Sequence, residues 1–107
     1  MNIYRQGDVL VVATDTIPPQ VSKASREQGR IVLAHGEVTG HAHAILDRDA
    51  DLYHAPDLED RFLRVLADGG VDLVHEEHDT VHLPAGDYRV TIQREYQPGE
   101  LPRRVAD

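Results

Sequence analysis

The sequence predicts a single, predominantly β domain, built as a small closed β-barrel or a sandwich. Three observations lead there. Valine is the commonest strongly apolar residue, and its β-branched side chain suits a pleated, half-buried surface. The apolar residues fall in short runs bounded by Gly, Pro and Asp, the spacing of strands and turns. The chain of 107 residues is the length of one domain, so residues 1–107 are read as one unit around one core.

The first run, residues 8–13, follows Gly7 and reads as a strand buried on both faces, ended by Ile17-Pro18-Pro19. Residues 15–29 are polar and carry prolines, which predicts a long surface loop. Residues 30–35 and 41–46 are the next strands, joined through Gly36-Glu37-Val38-Thr39-Gly40. Residues 52–55 form a weaker strand stopped by Pro56.

Residues 57–68 have two readings. With Asp57 as N-cap and Leu58, Phe62, Leu63 and Leu66 on one stripe, they make a helix closed by Gly69. Alternatively residues 61–66 are a strand that turns through Asp68-Gly69-Gly70 into residues 71–75. The hairpin is preferred, because strand-like segments flank the turn. Residues 80–83 and 87–96, joined by Pro84-Ala85-Gly86, complete eight or nine strands. Residues 97–107 are expected to be a flexible or subunit-docking tail.

Net charge is −8 and is placed unevenly. Residues 36–87 hold thirteen acids and three bases, whereas the flanking segments are close to balanced. An acidic middle argues against wrapping a polyanion, which requires clustered Lys and Arg. No cysteine is present, so a metal would need nitrogen and oxygen ligands. No apolar run approaches the ~20 residues of a membrane span or a secretory leader, so no membrane partner and a cytoplasmic location are expected.

Six of the seven histidines lie in two groups: His35, His41 and His43, then His75, His78 and His82. On a strand, His41, His43 and Ile45 share one face, so the two imidazoles can converge on one ion or small ligand. In the second group carboxylates alternate with imidazoles, offering ligands and partners that set a tautomer. Its spacing is His-X-X-His, which is not the zincin pattern.

Gly36 through His43, followed by Asp47, resembles the first cupin motif, in which a glycine precedes His-X-His and an acidic ligand. Pro84-Ala85-Gly86-Asp87-Tyr88 resembles the core of the second motif. The resemblance implies a cupin-like double-stranded β-helix, often oligomeric, holding one divalent metal ion. It implies His41, His43 and Asp47 as ligands. Asp47 stands where the family has glutamate, Arg89 where it places a histidine ligand, and Gln93 where it has asparagine. The fourth ligand then falls to the second histidine group, where His75, His78 and His82 are available and His78 is the candidate.

The last strand adds Arg94. Strict alternation puts it on the apolar face of Tyr88, Val90, Ile92 and Tyr96, where a guanidinium needs a carboxylate or an anionic ligand. Three functions therefore compete. The first is a metal-binding, cupin-like enzyme or sensor acting on a small molecule. The second is a metal-independent endoribonuclease with His41, His43, Arg94 and Tyr96 around the phosphate of RNA. The third is a non-catalytic binding module. A homo-oligomer is expected. Replacing His41 or His43 by Ala is expected to remove metal binding or activity while leaving folding nearly intact.

Overall fold

The computed structural model describes residues 2–36, 38–56, 60–95 and 103–104, with residues 94–95 and 103–104 described by their backbone. Twelve strands occur, and no helix is found among the described residues. They are β1 (Ile3–Gln6), β2 (Val9–Thr14), β3 (Ser22–Lys23), β4 (Ile31–His35), β5 (Ala42–Ile45) and β6 (Ala50–His54). β7 (Arg61–Val65), β8 (Val71–Val74), β9 (Val81–Leu83), β10 (Gly86–Ile92), β11 (Arg94–Glu95) and β12 (Arg103–Arg104) follow.

All pairings are antiparallel and form two main sheets. The larger runs β1-β2-β10-β7-β6-β3 and the smaller β4-β5-β8-β9, while β11 and β12 form a separate ribbon. Val9, Val11, Leu52, Leu63, Tyr88 and Val90 of the larger sheet join Ile31, Leu33, Ile45, Val71, Leu73 and Leu83 of the smaller in one core. Each such side chain contributes about 1.5–3 kcal/mol by leaving water. No described helix is long and apolar enough to cross a membrane.

Several expectations change. Among the described residues no pairing closes either sheet on itself, so the architecture is two open sheets rather than a closed barrel. β2 is buried on one face: Val9 and Val11 are fully covered, while Leu10 and Val12 are half-buried. Residues 61–65 are a strand, which removes the helix reading over them. Residues 57–59 lie outside the described residues.

The hairpin across Gly69-Gly70 does not form. Both edges of β7 are taken by β6 and β10, so the chain crosses to the smaller sheet, where β8 pairs with β5 and β9. Pro84-Ala85-Gly86 likewise carries the chain back from β9 to β10 in the other sheet. The predicted loop over residues 15–29 holds the short β3, and part of the predicted tail pairs as β12.

Candidate functional site

One strand pairing brings the two histidine groups together. β5 and β8 pair with Ala44 opposite Val74 and Ile45 opposite Leu73. Continuing that register sets His43 against His75, Ala42 against Glu76 and His41 against Glu77. The contacts follow it. The His43 and His75 rings lie 4.4 Å apart, the Ala42 amide donates to Glu76 Oε1 at 2.8 Å, and His41 Nδ1 is 3.5 Å from Glu77 Oε1. His75 also meets the edge of His41 at 5.7 Å and lies 4.7 Å from His78, which stacks on His43 at 5.7 Å. Four imidazoles thus form a single cluster.

Its buried side is built from the larger sheet. His43, Asp8 and Gln6 are 0%, 1% and 2% exposed, and are the fully covered polar side chains among the described residues. Gln6, on edge strand β1, reaches across to the smaller sheet, where its Nε2 donates to Leu73 O at 3.0 Å and Asp79 O at 2.9 Å. With both amide protons committed, Gln6 Oε1 faces His43 Nδ1 at 2.9 Å as an acceptor, so Nδ1 carries the proton. His43 Nε2 is then directed at Asp8 Oδ1, 3.7 Å away.

On the outer side, the amides of Glu77 and His78 donate to His75 Nδ1 at 3.0 and 3.4 Å and hold the bend after β8. His41, His75 and Glu76 have ligating atoms that all lie within 4.8 Å of one another, which is a reach suited to one metal ion. The Ala42 amide, helped by Glu76's own amide, holds the Glu76 carboxyl below the usual carboxylate range, so it stays anionic. His41 is half-buried and Glu76 exposed, so this side opens to solvent.

Of the expected site residues, His41, His43 and His78 are in the cluster. Asp47 is exposed, and its Oδ2 accepts from the Asp72 amide at 3.2 Å, beside the Asp72–His82 pair. His35 is exposed next to Glu27 at 3.2 Å, and His54 is exposed on β6. Arg94 lies in β11 opposite Arg104, but its side chain and Tyr96 fall outside the described residues. Gln6 and Asp8 were not anticipated from the sequence, and Glu76 only as one of the carboxylates of the second histidine group.

A groove of about 730 Å³ lined by Lys23, Arg26, Arg48 and Asp51 shares no residue with the cluster. Lys23 is paired with Asp51 at 3.1 Å, and Arg26 donates to the carbonyls of Gly29, Asp47, Arg48 and Ala50. Those two cations are occupied in holding the loop before β6.

His82 is a cross-strand neighbour of Asp72, and its Nδ1 lies 2.9 Å from Asp72 Oδ1. That carboxylate raises the imidazole above its ordinary value, with smaller help from the Gly69 backbone and against the cost of desolvation. A raised folded-state value means the pair's stabilisation is complete below the unfolded value of ~6.5 and is lost as pH rises through the folded one. In an NMR titration the His82 ring is expected to show a midpoint above the ordinary histidine range, returning to it in Asp72→Asn. An unchanged midpoint in that variant would exclude Asp72 as the cause.

Against known families, residues 5–93 match the model described as Domain of unknown function (DUF8820). The chain belongs to this family. The match spans both sheets and takes in Gln6, Asp8 and all four clustered histidines. No curated protein and no solved structure matches the chain.

Proposed function

We propose that this protein of the DUF8820 family is a divalent-metal-binding enzyme or sensor whose ion is held by His41, His75 and Glu76. The observation that carries the reading is the mutual reach of these three ligating groups. Imidazole and carboxylate donors, in a chain without thiols, suit zinc, cobalt, nickel or copper. Glu76 and Glu77 beside the imidazoles favour a cation there over a phosphodiester, so the metal reading stands ahead of the ribonuclease one. Of the expected ligands His41, His43, Asp47 and His78, this set keeps His41 alone, with His75 and Glu76 as the other donors. His41 and Glu76 would hold the ion on the side open to solvent, where it would supply Lewis acidity towards a small molecule.

Ion capture by His75 has a structural consequence. Its Nδ1 already receives two amides, so ligation at Nδ1 displaces them, and ligation at Nε2 moves the ring proton to Nδ1, where they point. Loading should therefore shift the Glu77 and His78 amides. Tag-free protein titrated with zinc is expected to bind it stoichiometrically, with those two amide resonances moving. His41→Ala removes a ligand and should weaken binding at this centre by more than the ~10–100-fold typical of losing an outer-shell partner, with the fold retained. Absence of stoichiometric binding for zinc, cobalt and nickel alike would overturn the reading.

A further inference from the structure

We infer that the groove beside the turn into β6 is a binding site for a small organic anion, one with a carboxylate or phosphate head on an apolar body. It goes beyond the metal reading, since the groove shares no residue with the histidine cluster. Its floor is apolar and lies where the two sheets meet. Ile31 comes from the smaller sheet and Leu52 from the larger, with Ala24 packed against the same core. Its charged wall is formed by Lys23 and Arg26, ahead of β4, and by Arg48 in the turn between β5 and β6. The volume of about 730 Å³ falls within the range of small-molecule sites, on the order of 300–1,000 Å³.

Among the described residues, three cations and one carboxylate line this groove, in a chain whose net charge is −8. Asp51 is committed to Lys23 at 3.1 Å, so it does not neutralise the two arginines. Arg26 is held by carbonyls: Nη1 donates to Gly29 O at 3.1 Å, and Nη2 to Asp47 O at 2.7 Å and Ala50 O at 3.1 Å. Carbonyl dipoles fix a guanidinium without cancelling its charge. Its Nε–H and second Nη1–H keep no acceptor among the described residues. Nη2 also reaches Arg48 O at 3.3 Å, which ties the backbone carrying the second arginine to the first. The Arg48 side chain is exposed and makes no ion pair or hydrogen bond among the described residues. A fixed guanidinium beside an uncommitted one suits an oxyanion, which a planar fork meets with parallel N–H···O bonds. The apolar floor calls for carbon next to that head. The acidic remainder of the chain repels a long polyanion and leaves a small anion as the occupant.

The test uses the full chain, isotope-labelled, stripped of metal with chelator and titrated in separate NMR arms with benzoate, phenyl phosphate and neutral benzyl alcohol. Saturable shifts of the Ala24, Arg26, Gly29 and Arg48 amides are expected with at least one of the two anions and not with benzyl alcohol. The anion bound more tightly identifies the head as carboxylate or phosphate. Arg48→Gln should weaken that binding about tenfold, the loss of one charged hydrogen bond, and leave stability unchanged. Arg89→Gln, which removes a cation on β10 outside the groove, should leave binding as it is. No saturable shift with either anion would overturn the site. So would equal binding of benzyl alcohol, equal affinity in Arg48→Gln and the natural chain, or shifts confined to other surfaces such as the histidine cluster. Zinc capture by His41, His75 and Glu76 is measured separately, so failure of the groove leaves that reading standing and failure of that reading leaves the groove.

Discussion

Replacing His43 by Ala is expected to destabilise the protein by about 3–5 kcal/mol, whereas His41→Ala should change stability by less than ~1 kcal/mol. The two histidines share a strand face, yet the smaller sheet and β1 cover His43 completely while His41 stays half-open. Removing the His43 ring empties a fully packed position. It also takes the partner from Gln6 Oε1 and leaves the buried Asp8 carboxylate without the facing imidazole. His41 loses a 3.5 Å contact to an exposed carboxylate, which is worth little. Urea unfolding of metal-free protein measures both. Equal losses would mean that His43 is not the inter-sheet anchor described above. This replaces the expectation that both substitutions spare the fold.

Gly70→Ala is expected to cost about 3–4 kcal/mol, while Gly69→Ala should be close to neutral. Gly70 has φ +81°, in the left-handed region, and a Cβ there would stand 2.5 Å from the Leu83 carbonyl oxygen and 2.7 Å from His82 Nε2. The Leu83 backbone belongs to β9 and its side chain is fully buried, so it has no room to retreat. A Cβ on Gly69 meets nothing within 4 Å. Thermal unfolding of the two variants compares them directly. A Gly70→Ala protein as stable as the natural one would contradict the crossing geometry between β7 and β8.

The strands over residues 9–14, 31–35, 42–45, 61–65, 71–74, 81–83 and 86–92 were legible because each is a compact apolar run between turn residues. The partition into sheets was not. A Gly-Gly turn between two strands has the same composition whether the strands pair or the chain crosses to another layer. Here that choice is made by the competing edges of β6 and β10. β1 was hidden because Tyr4-Arg5-Gln6 has no apolar alternation, and β3 because it is two residues long.

At the site, local clustering announced the histidines, and strand parity placed His41 and His43 together. Glu76 became visible as a ligand only through the β5–β8 register, a long-range property that spacing along the chain does not encode. Asp47 follows its own strand-end geometry towards Asp72. Gln6 and Asp8 flank Gly7 at what reads as an ordinary strand start. Their burial depends on the smaller sheet closing over them.

The Gln6 clamp also orders events during synthesis. Gln6 leaves the ribosome well before its acceptors at Leu73 and Asp79, which lie 67 and 73 residues further along. The hairpins β1–β2 and β4–β5 have local partners and can form early, whereas the clamp must wait until Asp79 has emerged. Until then His41 and His43 are on one hairpin, and His75 and His78 have not yet been made or docked. Under the proposed metal reading, an ion arriving early would meet His41 without His75 or Glu76, whereas one arriving after closure would meet all three.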